Sequence, residues 1–327
     1  MSVHCPPPVA PPKEDSIIHC PLSIVHSLSN FSLQNRIILI CYYQPIPVKK
    51  LPLKLLTILL IIAPFLSAQW GSDGLVTARL ITEKPCLAPN DSMLVAVEFT
   101  MKDEWHIYWT NPGDGGLKTT FSWTLPAGVT ISEPMLPYPI QFIVEDMVNF
   151  GYEKQAVFHF WLKTAPSFRP GTADTIAATI DWLACKQECI PGTSVVAVPL
   201  TKGTIVSDTL KSYFRAAHSK LPVTDYPLQF SSQLTGKTVE ITLTPAPGSQ
   251  TDYSNIQFFP VQEGLFSYTP APRMIQKGSV WKMELHLSPL HTAIPSHIDA
   301  VWVLPVGFDD AGSIKAIRTD FQLHKTP

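Results

Sequence analysis

From Leu75 onward, apolar and polar residues alternate in short runs broken by turn residues, the pattern of strands with one buried face. Ser92–Thr100 (SMLVAVEFT) alternates after a Pro89-Asn90-Asp91 turn, and Trp105–Trp109 (WHIYW) forms an aromatic strand ending at Asn111-Pro112-Gly113-Asp114-Gly115-Gly116. Thr119–Leu125 precedes a Pro126/Gly128 turn, and Ala156–Lys163 (AVFHFWLK) alternates before Pro166 and Pro170-Gly171. Thr175–Leu183 places Ile176, Ala178, Ile180 and Trp182 on one face, and Thr193–Leu200 does the same with Val196, Val198 and Leu200. Strands at this spacing, with no helical stretch between them, predict an antiparallel β-sandwich.

Residues 204–221 change period. Leu210, Tyr213, Phe214 and Ala217 recur at helical spacing behind Ser207-Asp208, so a short helix is expected to link two domains. Strand patterns resume at Leu228–Ser232, Thr238–Thr244, Asn255–Phe259, Val280–Leu287, His297–Leu304 and Ile317–Leu323. The expectation is all-β: two sandwiches, residues 69–203 and 222–327, joined by a helical linker over 204–221.

Composition agrees. The chain has 327 residues, 45% apolar and 15% charged, enough to bury real cores. Its 32 prolines are roughly twice the usual ~5% share and argue against long helices. With a net charge of −2 and no dense Lys/Arg block, the footprint of a nucleic-acid binder is missing, and no nucleic-acid partner is expected.

Residues 49–68 (KKLPLKLLTILLIIAPFLSA) have the form of a secretory signal peptide. Lys49, Lys50 and Lys54 precede an apolar run shorter than the ~20 residues of a membrane span, and Ser67-Ala68 offer a cleavage site. Residues 1–48 show little periodicity. Translation is expected to begin near Val48, with residues 1–47 a start-site artefact. Cleavage after Ala68 leaves 19 basic and 24 acidic residues and three cysteines, Cys86, Cys185 and Cys189. Export permits disulfides. Cys86, beside Pro85, reads as a small hydrophobe.

The segment ATIDWLACKQECIPGTSVVAVPL (178–200) carries the candidate chemistry. Two strands flank Lys186-Gln187-Glu188, which sets Cys185 and Cys189 at the ends of a three-residue turn. Facing positions of an antiparallel pair, ~4.5–5.5 Å apart, lie within disulfide reach. Pro191 is expected to hold its strand end out of the ladder. A loop this small gives a disulfide only about 2 kcal/mol of stabilisation, which favours a switch over a staple. The residues alone leave three readings open: an exchanging pair, a structural disulfide, or a metal site using Cys185, Cys189 and Cys86 or a histidine. The glycine-rich run 112–116 lacks a following Gly-Lys-Ser/Thr and reads as a tight connection. Trp105, Trp109, Trp123 and Trp182 read as core aromatics, and His159 and His286 as ordinary, partly buried strand residues.

Three motifs in order, WHIYWTNPGDGGL (105–117), VNFGYE (148–153) and DWLACKQECIPG (181–192), give residues 75–202 a resemblance to the N-terminal periplasmic domain of the thiol:disulfide interchange protein DsbD family, including its ScsB-like members. Residues 204–327 are similar, more loosely, to the second β domain of longer members. The resemblance implies an immunoglobulin-like fold and a Cys185–Cys189 pair cycling between dithiol and disulfide, with Cys189 attacking and Cys185 resolving. It implies a cap loop, here 144–154, with Phe150 over the cysteines and Tyr152 as runner-up. It implies neighbours matched by Tyr108, by His106 in place of a tyrosine, and by Asp146 as an acid.

Three residues separate the cysteines, against five in better-known members. The family's membrane bundle and thioredoxin-like domain are not read in residues 1–327 and are expected on another polypeptide. The expected function is therefore a periplasmic electron relay, a thiol:disulfide oxidoreductase subunit needing no cofactor. Its donor would be a membrane-embedded DsbD/CcdA-type reductase on another chain, and its acceptors periplasmic thioredoxin-like or disulfide-isomerase proteins, as in cytochrome c biogenesis. The alternatives are a non-catalytic exported binding module and a copper- or zinc-handling protein.

Overall fold

Alternation along the chain becomes strands whose apolar faces meet. The structure, a computed structural model, describes residues 74–169, 171, 174–200 and 208–325. The N-terminal extension and the leader segment 49–68 lie outside the described residues. The first group of strands is β1 (Val76–Thr82), β2 (Ser92–Met101), β3 (His106–Gly113), β4 (Thr120–Thr124), β5 (Val129–Ile131), β6 (Ile140–Val144), β7 (Met147–Glu153), β8 (Gln155–Thr164), β9 (Thr175–Cys185) and β10 (Cys189–Pro199). They build two sheets, ordered β1-β2-β8-β5 and β10-β9-β3-β7-β6, with β4 also paired to β9.

The inward faces are those the alternation marks. Ile176, Ala178, Ile180 and Trp182 of β9 are all buried, and the Phe99 ring packs on Phe158 and Trp182 between the sheets. The four tryptophans expected in the core are buried or packed against it.

α1 (Asp208–His218) begins with an acidic residue and ends with Arg215 and His218, favourable at the two poles of a helix. Its buried Phe214 and Ala217 pack on Leu94, Ala96 and Val157, on the outer face of the β1-β2-β8-β5 sheet. Glu98 on that face is buried and accepts hydrogen bonds from Arg79 Nε (2.5 Å), Tyr213 Oη (2.8 Å) and Gln155 Nε2 (3.0 Å). Burial opposes its ionisation, yet these bonds hold the carboxyl below its usual range. The helix is thus a packed layer of the first sandwich as well as a connection.

The remaining strands are β11 (Gln229–Thr235), β12 (Thr238–Thr244), β13 (Gln257–Pro260), β14 (Phe266–Ser267), β15 (Met274–Lys277), β16 (Val280–Leu287), β17 (His297–Val303) and β18 (Ala316–Lys325). Their order is β13-β17-β18-β11-β12-β16-β14, with β15 on β16. β18 pairs antiparallel with β17 up to Gln322, then runs parallel to β11 from Leu323. The fold is all-β, as the alternation predicts, and immunoglobulin-like, as the family resemblance implies.

Between the two β units lies an aromatic joint. Phe259 sits 6.3 Å from Trp109 and 5.1 Å from Phe150, and Tyr268 sits 4.8 Å from Phe150, all edge-on. Beside it, fully buried Asn111 donates from Nδ2 to the carbonyl oxygens of Pro260 (2.7 Å) and Gln262 (3.2 Å) and to Tyr268 Oη (3.1 Å). Burial raises the Tyr268 hydroxyl to about 12.

Candidate functional site

Cys185 ends β9 and Cys189 opens β10, facing each other in register. Their sulfurs are bonded, with the Cα atoms 4.1 Å apart. The turn between them closes through the Lys186 amide, which donates to the Glu188 carbonyl (3.1 Å). Pro191 stays in the ladder opposite Leu183, contrary to expectation. β10 is the sheet's edge strand, where a missing donor costs no ladder bond.

The two cysteines differ in exposure. Cys185 is 1% exposed, whereas Cys189 lies on the surface. On the other side of β9, Cys185 is in register with His106 of β3, and His106 with Glu153 of β7. Facing positions share a side, so Cys185 and His106 side chains emerge on the outer face, away from buried Ile107 and Ala184. Tyr108, two residues on, shares that face and brings its hydroxyl to 3.9 Å from Cys189 Sγ. Burial raises the Tyr108 phenol above its ordinary range.

His106 is 3% exposed, and its Nε2 has no hydrogen-bond partner among the described residues. Burial lowers the imidazole to about 4, so it is neutral at pH 7. Its ring stands edge-on to Tyr108 at 5.3 Å and tilted against Phe142 at 4.0 Å, and Phe142 lies 6.2 Å from Tyr108. His106, Tyr108 and Phe142 form an aromatic wall beside the disulfide.

Phe142 was not foreseen, and the expected cap is corrected. Segment 144–154 belongs to a two-stranded hairpin, β6–β7, turning at Glu145 and Asp146, whose φ values of 49° and 68° suit a type I′ turn. Alternation along β7 sends Phe150 and Tyr152 inward. Phe150, 1% exposed, meets Phe259 and Tyr268. Tyr152 packs on Phe158 and donates its hydroxyl to the Pro137 carbonyl (2.8 Å). Neither covers the cysteines. Asp146 sits exposed at the hairpin turn, seven residues along the strand from the Glu153 end that neighbours His106, so it is not the acid beside the pair. The signal that finds Phe142 is its place in IQFIV, two residues ahead of the Val144 at which the expected loop begins.

The glycine-rich run seats the wall. A Cβ on Gly116, at φ 111°, would stand 2.3 Å from the Tyr108 ring, and one on Gly151 would stand 2.1 Å from the Ile107 carbonyl oxygen. Asp114 latches the run to β7: its amide donates to the Val148 carbonyl (2.8 Å), and its Oδ2 accepts from the Val148 amide (2.9 Å). Asn111 Oδ1 accepts from the Gly113 amide (3.0 Å).

Charge at the tip is partly spoken for, since Lys186 Nζ pairs with Glu104 at 2.5 Å. Among the described residues, no group of three or more His, Cys, Asp and Glu is placed to hold a metal ion. No described helix is long and apolar enough to cross a membrane. Cys86, read as a small hydrophobe, is half-buried. His159 is fully buried, deeper than expected, with neither ring nitrogen hydrogen-bonded among the described residues, and His286 lies exposed.

Comparison with known proteins agrees with this geometry. Residues 77–200 match the family model described as "Thiol:disulfide interchange protein DsbD, N-terminal". No curated protein matches the chain. Among solved structures, the N-terminal periplasmic domain of ScsB from Proteus mirabilis is similar at TM-score 0.56 and 18% identity, covering 77% of this chain and 92% of that one. That overlap extends past the first sandwich and bears on the fold alone. The major pilin subunit BcpA of Bacillus cereus (TM-score 0.26, 9% identity, 77% of this chain and 69% of that one) and a protein of unknown function from Porphyromonas gingivalis (0.22, 14%, 76% and 100%) are too distant to carry an argument.

Proposed function

We propose, residues 77–200 being a domain of the DsbD N-terminal family, that this chain is a periplasmic thiol–disulfide relay working through Cys185 and Cys189. The coarse activity, thiol–disulfide exchange, comes with the family. The relay role, its partners and export by the 49–68 leader are the proposal.

In the reduced form, the Cys189 thiolate attacks one sulfur of a partner disulfide. A mixed disulfide forms, and the partner's second sulfur leaves as a thiolate that takes up a proton. The Cys185 thiolate then attacks Cys189 Sγ, the Cys185–Cys189 bond re-forms, and the partner departs as a dithiol. Two electrons pass outward. They are restored by a dithiol on a membrane-embedded reductase of the DsbD/CcdA type in another chain, and the acceptors are thioredoxin-like or disulfide-isomerase proteins.

One observation carries the reading: of two bonded sulfurs four residues apart, Cys189 is exposed and Cys185 is 1% exposed. An attacking thiol needs access, and a resolving thiol needs only its neighbour. The test is trapping with an oxidised thioredoxin-like protein. Cys185→Ser should accumulate a mixed disulfide through Cys189, and Cys189→Ser should not. A reduction potential for the pair above about −300 mV is expected, since structural disulfides of secreted proteins fall below that value. No trapping by Cys185→Ser together with a potential below it would refute the relay.

A further inference from the structure

We infer that the second β unit positions the aromatic wall beside the disulfide, with Phe259 and Tyr268 as positioning residues that set Phe142 and Tyr108 from a distance. The inference deepens the exchange reading and rests on it for its biological meaning.

The argument begins with one hairpin that has two occupied faces. Phe142 on β6 is in register with Asn149 on β7, and Gln141 with Phe150. On the outward face, Phe142 lies on His106 at 4.0 Å. On the inward face, Phe150 meets Phe259 and Tyr268 at 5.1 and 4.8 Å. The hairpin joins its sheet only through β7, which pairs with β3, and β6, which carries Phe142, is the edge strand. With no further strand beyond β6, the set of Phe142 depends also on what grips the inner face of the hairpin, and part of that grip comes from residues 259–268.

A second route leads to the same place. Tyr268 Oη and the Pro260 and Gln262 carbonyls take the Nδ2 protons of fully buried Asn111, whose Oδ1 holds the Gly113 amide. Gly113 opens the run whose Gly116 abuts the Tyr108 ring, and that ring carries the hydroxyl 3.9 Å from Cys189 Sγ. Asp114 ties this run back to β7 through Val148. Both supports of the wall thus converge on one segment of the second unit. Interfaces this closely packed tend to hold discrete arrangements rather than deform continuously.

The test is the rate at which dithiothreitol reduces Cys185–Cys189 in the full chain, measured for four proteins: wild type, Tyr268→Ala, Phe142→Ala and the double variant. Loosening the grip should admit the reductant. Tyr268→Ala should speed reduction about three- to tenfold, the scale of coupling between groups in contact. It should have a clearly smaller further effect once Phe142 is already alanine, since only the route through Asn111 and Tyr108 then remains. Phe259→Leu, which keeps most of the apolar volume, should act in the same direction, and Tyr268→Phe, which keeps the ring, should stay closer to wild type. Thermal melts confirm that each variant is folded. Equal acceleration in both backgrounds, or none in any folded second-unit variant, would overturn the inference. Failure of the relay itself reads differently: the disulfide would be inert to thioredoxin-like proteins while the coupling seen with dithiothreitol persisted.

Discussion

The Tyr108 hydroxyl stands 3.9 Å from the sulfur of Cys189, the exposed member of the pair. On reduction, that hydroxyl is the donor placed to meet a thiolate at Cys189, and hydrogen bonds to ionised acceptors are the stronger kind. Tyr108→Phe is therefore expected to slow alkylation of reduced Cys189 at neutral pH by about tenfold, near the lower end of what a bond to a charged group is worth. Iodoacetamide kinetics on the reduced protein check it. An unchanged rate would show that the hydroxyl does not assist the thiolate.

Gly116→Ala should be costly. The φ of 111° is strained for any residue with a side chain, and the added carbon would stand 2.3 Å from the Tyr108 ring. Backbone strain alone costs about 1–3 kcal/mol. Urea unfolding should show at least that loss, together with faster reduction of the disulfide as Tyr108 shifts.

Phe150→Ala separates an interior ring from a surface cap. At 1% exposure, with two aromatic neighbours in the second unit, it should cost about 3–5 kcal/mol of stability. A surface cap would cost little on truncation. A drop in melting temperature of only a degree or two would contradict the placement.

Two buried histidines set an acid limit. Burial lowers His106 to about 4, and burial followed by the nearby charge of His218 lowers His159 to about 4. Both folded-state values lie below the unfolded value near 6.5. The unfolded chain therefore binds protons first as pH falls, and stability present above 6.5 drains away toward 4. Each ring accounts for about 2–3 kcal/mol across that window. Between pH 6.5 and 5, before most carboxylates titrate, the urea midpoint should fall measurably, and His159→Leu should flatten the slope. A midpoint independent of pH there would count against neutral, buried imidazoles.

Strand alternation made most of this architecture legible. Thr238–Thr244 and Val280–Leu287 were read to the residue, and Cys185 facing Cys189 follows from two alternating runs flanking three turn residues. The hairpin beside the site was not legible. In IQFIV of β6, Phe142 and Ile143 are neighbouring apolar residues on opposite faces, and only Gln141 is polar. With no polar face to orient it, alternation does not say which ring faces the cysteines, and Glu145-Asp146 lacks the glycine that usually marks a two-residue turn. The family resemblance points instead to Phe150, one register step from the ring that meets His106. Nor does Asn111 announce itself: in NPGDGG it reads as a turn residue, and its burial arises only from acceptors some 150 positions away.

Those acceptors constrain how such a protein is rearranged over evolution or at the bench. Asn111 belongs to one β unit and is satisfied by the other, so cutting the chain at the helix strands a desiccated amide and leaves Phe150 bare. Grafting either half onto a homologue succeeds only when Asn111 and residues 259–268 travel as a matched set. Their covariation across a lineage would record that the two halves were inherited together.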